Sequence, residues 1–337
     1  MADVERESAP VRKPTRTDVA RLAGVSTAVV SYTVNNGPRR VSEETRRRVE
    51  AAVAALDYRP NAAARALKRG RSEFIAVVVP DVASPFFAEM THRIAGLVRS
   101  IGRTLLVVES QPEHLDKVID DLASRQVDGI LSAVPLSKDA IAALGSLDAR
   151  FAHLDQDGSV IDDVDTFAVD LYRGAREAVQ HLIEHGHQEI GYVGPAKGPR
   201  IEGWRDVLTD AGLASDHCYL GGFSRVEGYR AGQRLVGQAA RPSAVFVSTD
   251  EQASGVLRAV HETGLSVPGD VAVVAFDGTF ESEFSWPPLT TVRQPLQEIA
   301  EAAVGFIETG RGASGARRRF QASLERRASC GCEPLTR

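Results

Sequence analysis

Residues 17–38 read TDVARLAGVSTAVVSYTVNNGP, and their grammar is that of two short helices with a turn between them. Thr17 is placed to cap a helix over DVARLAG, where Val19, Leu22 and Ala23 are apolar at i, i+3 and i+4. Gly24 supplies the left-handed residue that ends it. Ser26 caps a second helix over TAVVSYTVN, with Val30, Thr33 and Val34 on one face, and Asn35-Asn36-Gly37-Pro38 breaks it. Beyond the break Ser42 caps a third helix, and Glu43 and Glu44 suit the positive end of its dipole. Its apolar residues Val49, Ala52, Val53 and Leu56 recur at i, i+3, i+4 and i+7.

Two helices joined by a turn of about four residues, the second polar on its outer side, make a helix-turn-helix. In that geometry the second helix enters the DNA major groove by its N-terminal end. With Val30 and Val34 turned inward, Thr27, Ala28, Ser31 and Tyr32 project toward bases and phosphates. Charge points the same way. Residues 10–71 hold 14 Lys and Arg against 5 Asp and Glu, a balance of +9, whereas residues 72–337 hold 25 against 37, a balance of −12. A basic segment on an acidic body suggests a polyanion-binding module attached to something else.

From Pro60 the run NAAARALKRGR has helix propensity but little to bury, so alone in water it is a marginal helix. From Phe74 onward, strand-like runs (FIAVVVPD, RTLLVVES, DGILSAV, ARFAHLD, TFAVD, EIGYVG, AVFVSTD, VAVVAFD) alternate with amphipathic helix patterns. Such alternation predicts parallel sheets covered by helices on both faces, with ligands beyond the carboxyl ends of the strands. Asp170, Asp250 and Asp277 stand at such ends.

Hydrophobic content of 43% and charged content of 25% over 337 residues fit a protein of two or three globular domains. No run reaches the ~18 apolar residues of a membrane span. The first residues, MADVERESAP, have neither a basic nor an apolar region of a secretory signal, so the expected compartment is the cytoplasm, at the nucleoid when DNA is bound. There is no phosphate-binding G-x-x-x-x-G-K-[ST] loop, no dinucleotide G-x-G-x-x-G after a strand and no G-x-S-x-G nucleophile turn, so an enzyme is not expected, nor a cofactor. Three cysteines, Cys218, Cys330 and Cys332, read as free thiols, and Cys330-Gly331-Cys332 reads as a C-terminal turn. His181, His185 and His187 read as helix-end and turn residues, and no metal site is expected.

The segment TDVARLAGVSTAVVSYTVNNGPRRVSEETRRRVEAAVAALDYRPNAAARAL resembles the N-terminal region of the lactose-repressor (LacI/GalR) family of bacterial transcription regulators. PDVASPFFAEM, HLIEHGHQEIGYVG, VPGDVAVVAFDG, PPLTTVRQP and LERRASCGC are similar to successive landmarks of the same family, so the resemblance runs from about Thr15 to the C-terminal region. It implies an all-α helix-turn-helix domain (residues 14–58), a hinge helix or linker (59–71) and a periplasmic-binding-protein-like α/β effector domain (72–337). The latter would have two Rossmann-like lobes, about 72–168 plus 295–325 and about 169–294 plus 326–337. The family's base-reading positions fall on Thr27, Ala28 and Tyr32. Many relatives have Arg at the last, and a tyrosine cannot make the bidentate contact of Arg with guanine. Its hinge leucine, which wedges into the minor groove, falls on Leu67, with Asn61 and Ala64 beside it.

By the same resemblance the effector cleft includes Phe86, Phe87, Asp170, Arg200, Phe223, Asp250, Asp277 and Gln294. Carboxylates and Arg suit hydroxyls, and aromatic faces suit a sugar ring. The expected protein is thus a homodimeric repressor that binds a palindromic double-stranded operator and answers to a small molecule, a sugar or sugar derivative. A cytoplasmic sugar-binding or sugar-converting protein with an accessory N-terminal domain is the alternative.

Overall fold

A computed structural model describes residues 14–34, 40–59, 72–145, 147–155, 161, 163–310 and 315–332. The hinge positions Asn61, Ala64 and Leu67 lie outside them. The chain divides after Ser72 into two compact units.

The first unit contains helices α1 (Arg16–Ala23), α2 (Thr27–Val34) and α3 (Glu43–Ala55). Thr15, not Thr17, caps α1. Its side chain accepts from the Asp18 amide while Asp18 returns a bond to the Thr15 amide at 2.9 Å, a reciprocal box that two-residue earlier entry makes possible. Val19, Ala20 and Ala23 are buried, whereas Leu22, expected on the apolar face, is exposed. Gly24 ends α1 in the left-handed conformation (φ 65°). Ser26 accepts from the Val29 amide at the start of α2, and Ser42 from the Thr45 amide at the start of α3. Val30, Val49, Ala52 and Tyr58 complete a small shared core.

The second unit holds two six-stranded sheets. The first comprises β1 (Phe74–Val79), β2 (Thr104–Glu109), β3 (Gly129–Ser132), β4 (Arg150–Asp155), β5 (Thr166–Val169) and β11 (Arg317–Phe320), in the order β11-β5-β4-β3-β1-β2 and parallel throughout. The second comprises β6 (Ile190–Gly194), β7 (Cys218–Leu220), β8 (Ala244–Val247), β9 (Ala272–Asp277), β10 (Thr290–Arg293) and β12 (Ser323–Glu325), in the order β12-β10-β9-β8-β6-β7, with only β12 antiparallel. Central strands such as β9 are buried along their whole length, which is why they read as unbroken apolar runs.

Helices α4 (Pro85–Ser100), α5 (Leu115–Ser124), α6 (Lys138–Leu144) and α12 (Leu296–Thr309) cover the first sheet. Helices α7 (Leu171–Glu184), α8 (Pro199–Asp210), α9 (Arg225–Val236) and α10 (Asp250–Glu262) belong with the second, as does the short α11 (Glu281–Phe284). The chain crosses between lobes three times, after β5, after β10 and between β11 and β12. The third crossing falls at residues 321–322. The boundary expected after residue 325 is therefore four residues late: Leu324 pairs with Val292 in the second sheet, and the short charged strands β11 and β12 hide the switch. Among the described residues no helix is long and apolar enough to cross a membrane.

Candidate functional site

In the first unit, α2 buries Val30 and Thr33. The hydroxyl of Thr33 is turned back onto the Val29 carbonyl at 3.0 Å, so this polar residue belongs to the packed side. Thr27 and Ala28 are exposed and Ser31 and Tyr32 half-exposed, so all four residues read from the sequence share the helix's open side. Nothing acidic lies in the first turn of α2.

In the second unit a cavity of about 490 Å³ opens between the lobes. It sits beyond the carboxyl ends of the strands of both sheets, where parallel α/β folds place ligands. Phe86 and Phe87, at the start of α4, meet edge to face at 5.2 Å on the first-lobe side, and Arg200, Phe223 and Asp277 stand on the second. Asp277 ends β9 at φ 112°, a conformation that costs a non-glycine residue energy and that aims its carboxylate at the cavity. Gly278, also at positive φ, follows because a side chain there would collide with Arg293.

Arg200 donates from Nη2 to Asp277 Oδ1 at 3.2 Å, while its guanidinium lies 4.5 Å from the centre of the Phe276 ring. Gln294 donates to the same carboxylate oxygen at 2.9 Å. It stands behind Asp277 and does not line the cavity, and its own Oε1 is buried without a partner among the described residues. Burial pushes the Asp277 carboxyl up to about 8, against the attraction of Arg200 and with the help of the Asp250 charge.

Two other expected residues are turned away. Asp250 lies in the first turn of α10, where its carboxylate accepts from the Thr279 amide and from the hydroxyls of Thr279 and Thr291. It therefore ties down the loop after β9; burial raises its carboxyl to about 6, and those three bonds restrain the rise. Asp170 caps α7 by accepting from the Arg173 amide.

The model of the lacI family of bacterial regulatory proteins matches residues 15–61, and that of the periplasmic binding protein-like domain matches residues 179–330. The transcriptional repressor PurR of Mannheimia succiniciproducens is 33% identical over 300 residues, covering 86% of this chain and 90% of that protein. The chain belongs to the LacI family. It is a DNA-binding transcriptional repressor by family, with a ligand-binding body. The ribose operon repressor of Escherichia coli K12 is likewise 33% identical, over 87% of this chain and 92% of its own length. In three dimensions the lac repressor dimer bound to operator and the anti-inducer ONPF matches 95% of this chain and 99% of its own, at 29% identity and a TM-score of 0.84.

This LacI-family cavity also presents polar groups that the sequence did not single out. His153 comes from the middle of β4, where the surrounding RFAHLD reads as an apolar strand. Gln111 and Lys197 lie on loops after β2 and β6, and Thr249 and Glu251 flank the start of α10. Glu251 is held by Arg225 at 3.5 Å. His187 sits apart from the other two histidines of its segment, bonded to the Ser243 hydroxyl at 2.9 Å.

Proposed function

We propose that this protein is a homodimeric repressor whose two heads occupy the halves of a palindromic operator and whose cavity takes a sugar or sugar derivative as effector. The observation that carries the effector reading is the buried Asp277–Arg200 pair facing three phenylalanine rings. An acceptor beside a donor matches neighbouring hydroxyls of a polyol, and ring faces match its C–H surface. The cavity is within the range of small-molecule sites, and a relative named for the ribose operon agrees with a sugar. Lys197, Arg200 and the N-terminus of α8, which has no side-chain cap, also favour an anionic group on that sugar.

On this reading residues 14–58 read the operator through Thr27, Ala28, Ser31 and Tyr32. On the same reading residues 59–71 are the hinge segment, and Leu67, with Asn61 and Ala64 beside it, is its minor-groove contact. Two-fold symmetry of the dimer imposes the palindrome. Phe280, Phe284 and Trp286, 63%, 72% and 82% exposed on the second lobe, supply an apolar patch for the partner subunit. Effector binding changes the lobe angle and with it the operator affinity, by roughly 5–150-fold for a coupling of ~1–3 kcal/mol.

The test is operator selection with the full-length protein at fixed salt, followed by titration with sugars and sugar phosphates. A palindromic site whose affinity one of them shifts supports the reading. Absence of sequence-selective binding refutes the operator half, and selective binding that every polyol and sugar phosphate leaves unchanged refutes the effector half.

A further inference from the structure

The fold brings together two histidines and two cysteines that the sequence separates by about 150 positions. His181 and His185 occupy the last turn and C-terminal cap of α7, one turn apart on the same face. Cys330 and Cys332 flank Gly331, whose left-handed conformation (φ 91°) turns the chain between them. The Nε2 atom of His181 lies 3.3 Å from Cys330 Sγ and 3.5 Å from Cys332 Sγ, and His185 Nε2 lies 3.4 Å from Cys332 Sγ. One ligand atom from each of the four residues fits within 4.8 Å of the others.

We propose that His181, His185, Cys330 and Cys332 form a tetrahedral site for one zinc-class divalent ion. Zinc–sulfur bonds of about 2.3 Å and zinc–nitrogen bonds of about 2.0–2.1 Å give a tetrahedron whose sulfur–nitrogen edges are roughly 3.5 Å. The three sulfur–nitrogen separations are close to that length. Two thiolates and two neutral imidazoles balance a doubly charged ion, which suits a site where Cys330 and His181 are 1% and 4% exposed. Soft sulfur with imidazole selects zinc-like ions over magnesium or calcium.

The surroundings are those of a held ligand set. The Thr290 hydroxyl donates to Cys330 Sγ at 3.0 Å, the kind of outer bond that orients a thiolate. Between the two strands beneath, Ser329 donates to the Val273 carbonyl and accepts from the Thr290 amide, fixing the backbone next to Cys330. His185 is exposed and Cys332 half-buried, which leaves an entry path for the ion. None of the four residues lines the interlobe cavity. The ion joins the segment that follows the third lobe crossing to α7, the helix that follows the first. It is a structural staple, separate from effector and DNA.

The experiment uses full-length protein without a histidine tag, reduced and dialysed against Zn2+ or Co2+. One ion per chain is expected, with the thiolate charge-transfer and tetrahedral ligand-field bands of cobalt. Zinc should shield Cys332 from alkylation while Cys218 reacts, and a chelator should expose Cys332 again. Cys332→Ser and His185→Ala replace accessible ligands, so the fold survives by circular dichroism. Each should weaken metal affinity by more than the ~10–100-fold that follows loss of an outer partner. Reduced, folded protein that takes up no more metal than the Cys332→Ser/His185→Ala double variant overturns the site. So does a Cys330–Cys332 disulfide whose reduction restores no uptake.

Discussion

Arg200 and Asp277, 77 residues apart, meet at 3.2 Å on the second-lobe wall of the cavity with neither side chain more than 9% exposed. A contact this deep stabilises little as an ion pair, because burial keeps the Asp277 carboxyl protonated up to about 8 and the guanidinium has lost its water. Its value lies in holding an acceptor and a donor ready for a ligand. Asp277→Asn keeps the shape and the neutral state that burial imposes below about pH 8, but it cannot become the carboxylate that accepts a ligand hydroxyl. A hydrogen bond to a charged group contributes about 1.5–3 kcal/mol. Effector affinity should fall roughly 10–150-fold while operator binding without effector persists. Calorimetry and a gel-shift assay measure the two; an unchanged effector affinity would remove Asp277 from the site.

The raised carboxyl of Asp277 makes binding depend on pH. Folded protein keeps this proton up to about 8, whereas an ordinary aspartate loses it near 3.8. The group therefore contributes stability at low pH that is lost as pH rises toward 8, and Asp250, raised to about 6, acts in the same direction. A ligand hydroxyl donating to Asp277 favours the charged form and expels the proton. Effector affinity should rise between about pH 6 and 8, with proton release visible as a buffer-dependent binding enthalpy. Asp277→Asn should flatten both. Equal enthalpies in buffers of different ionisation heat for the unaltered protein would contradict this.

Local signals in the sequence carried the helix-turn-helix well, because a cap, a left-handed glycine and a buried face are decided within a few residues. Thr15 shows the margin of error: Thr17 is equally good chemistry, and only the partner Asp18 three residues after Thr15 separates them. The cavity was less legible. A polar residue at the end of a strand is visible in sequence, but the direction of its side chain is not. Asp277 faces the cavity, while the similar Asp250 is captured by Thr279 and Thr291. His153 escaped notice because its neighbours in β4 are apolar, and Lys197 because loops have no period. His181 and Cys332 could not be joined at all, since their meeting depends on three lobe crossings.

The wall of the cavity formed by Phe223, Thr249 and Glu251 depends on how closely α9 approaches α10. Gly228 and Gly255 set that distance. A Cβ on Gly228 would run into the backbone of Gln252, and one on Gly255 into the backbone of Arg225 and Tyr229. Backbone cannot rotate aside, so Gly255→Ala must push the helices apart. Overpacking of this kind costs about 1–3 kcal/mol. The melting temperature should drop, and effector affinity with it, because Glu251 moves with α10 and Phe223 with the turn that leads into α9. By contrast Gly96→Ala, where a Cβ meets nothing within 4 Å, should leave both properties unchanged. Similar melting temperatures for the two variants would show that the helices have room to spare.

On the proposed reading, residues of α2 divide between holding the head together and reading DNA, and two substitutions separate the roles. Val30 is 1% exposed within the small core shared with Val19, Val49 and Ala52. Val30→Ala opens a cavity in a core with few other contacts to compensate, so it should lower the stability of the head and weaken all DNA binding together. Tyr32 is half-exposed on the opposite side, and on the proposed reading its ring and hydroxyl meet the base edges. Tyr32→Ala should leave the head's unfolding unchanged and cost about 1–3 kcal/mol on the selected operator, the price of one mismatched base pair. Affinity for random duplex, which comes from phosphate contacts by the basic residues, should hardly change, and the salt slope should stay the same. Competition between operator and random duplex at two salt concentrations measures this directly. Equal losses on both DNAs would mean that Tyr32 contacts phosphate, leaving sequence reading in the head to Thr27, Ala28 and Ser31.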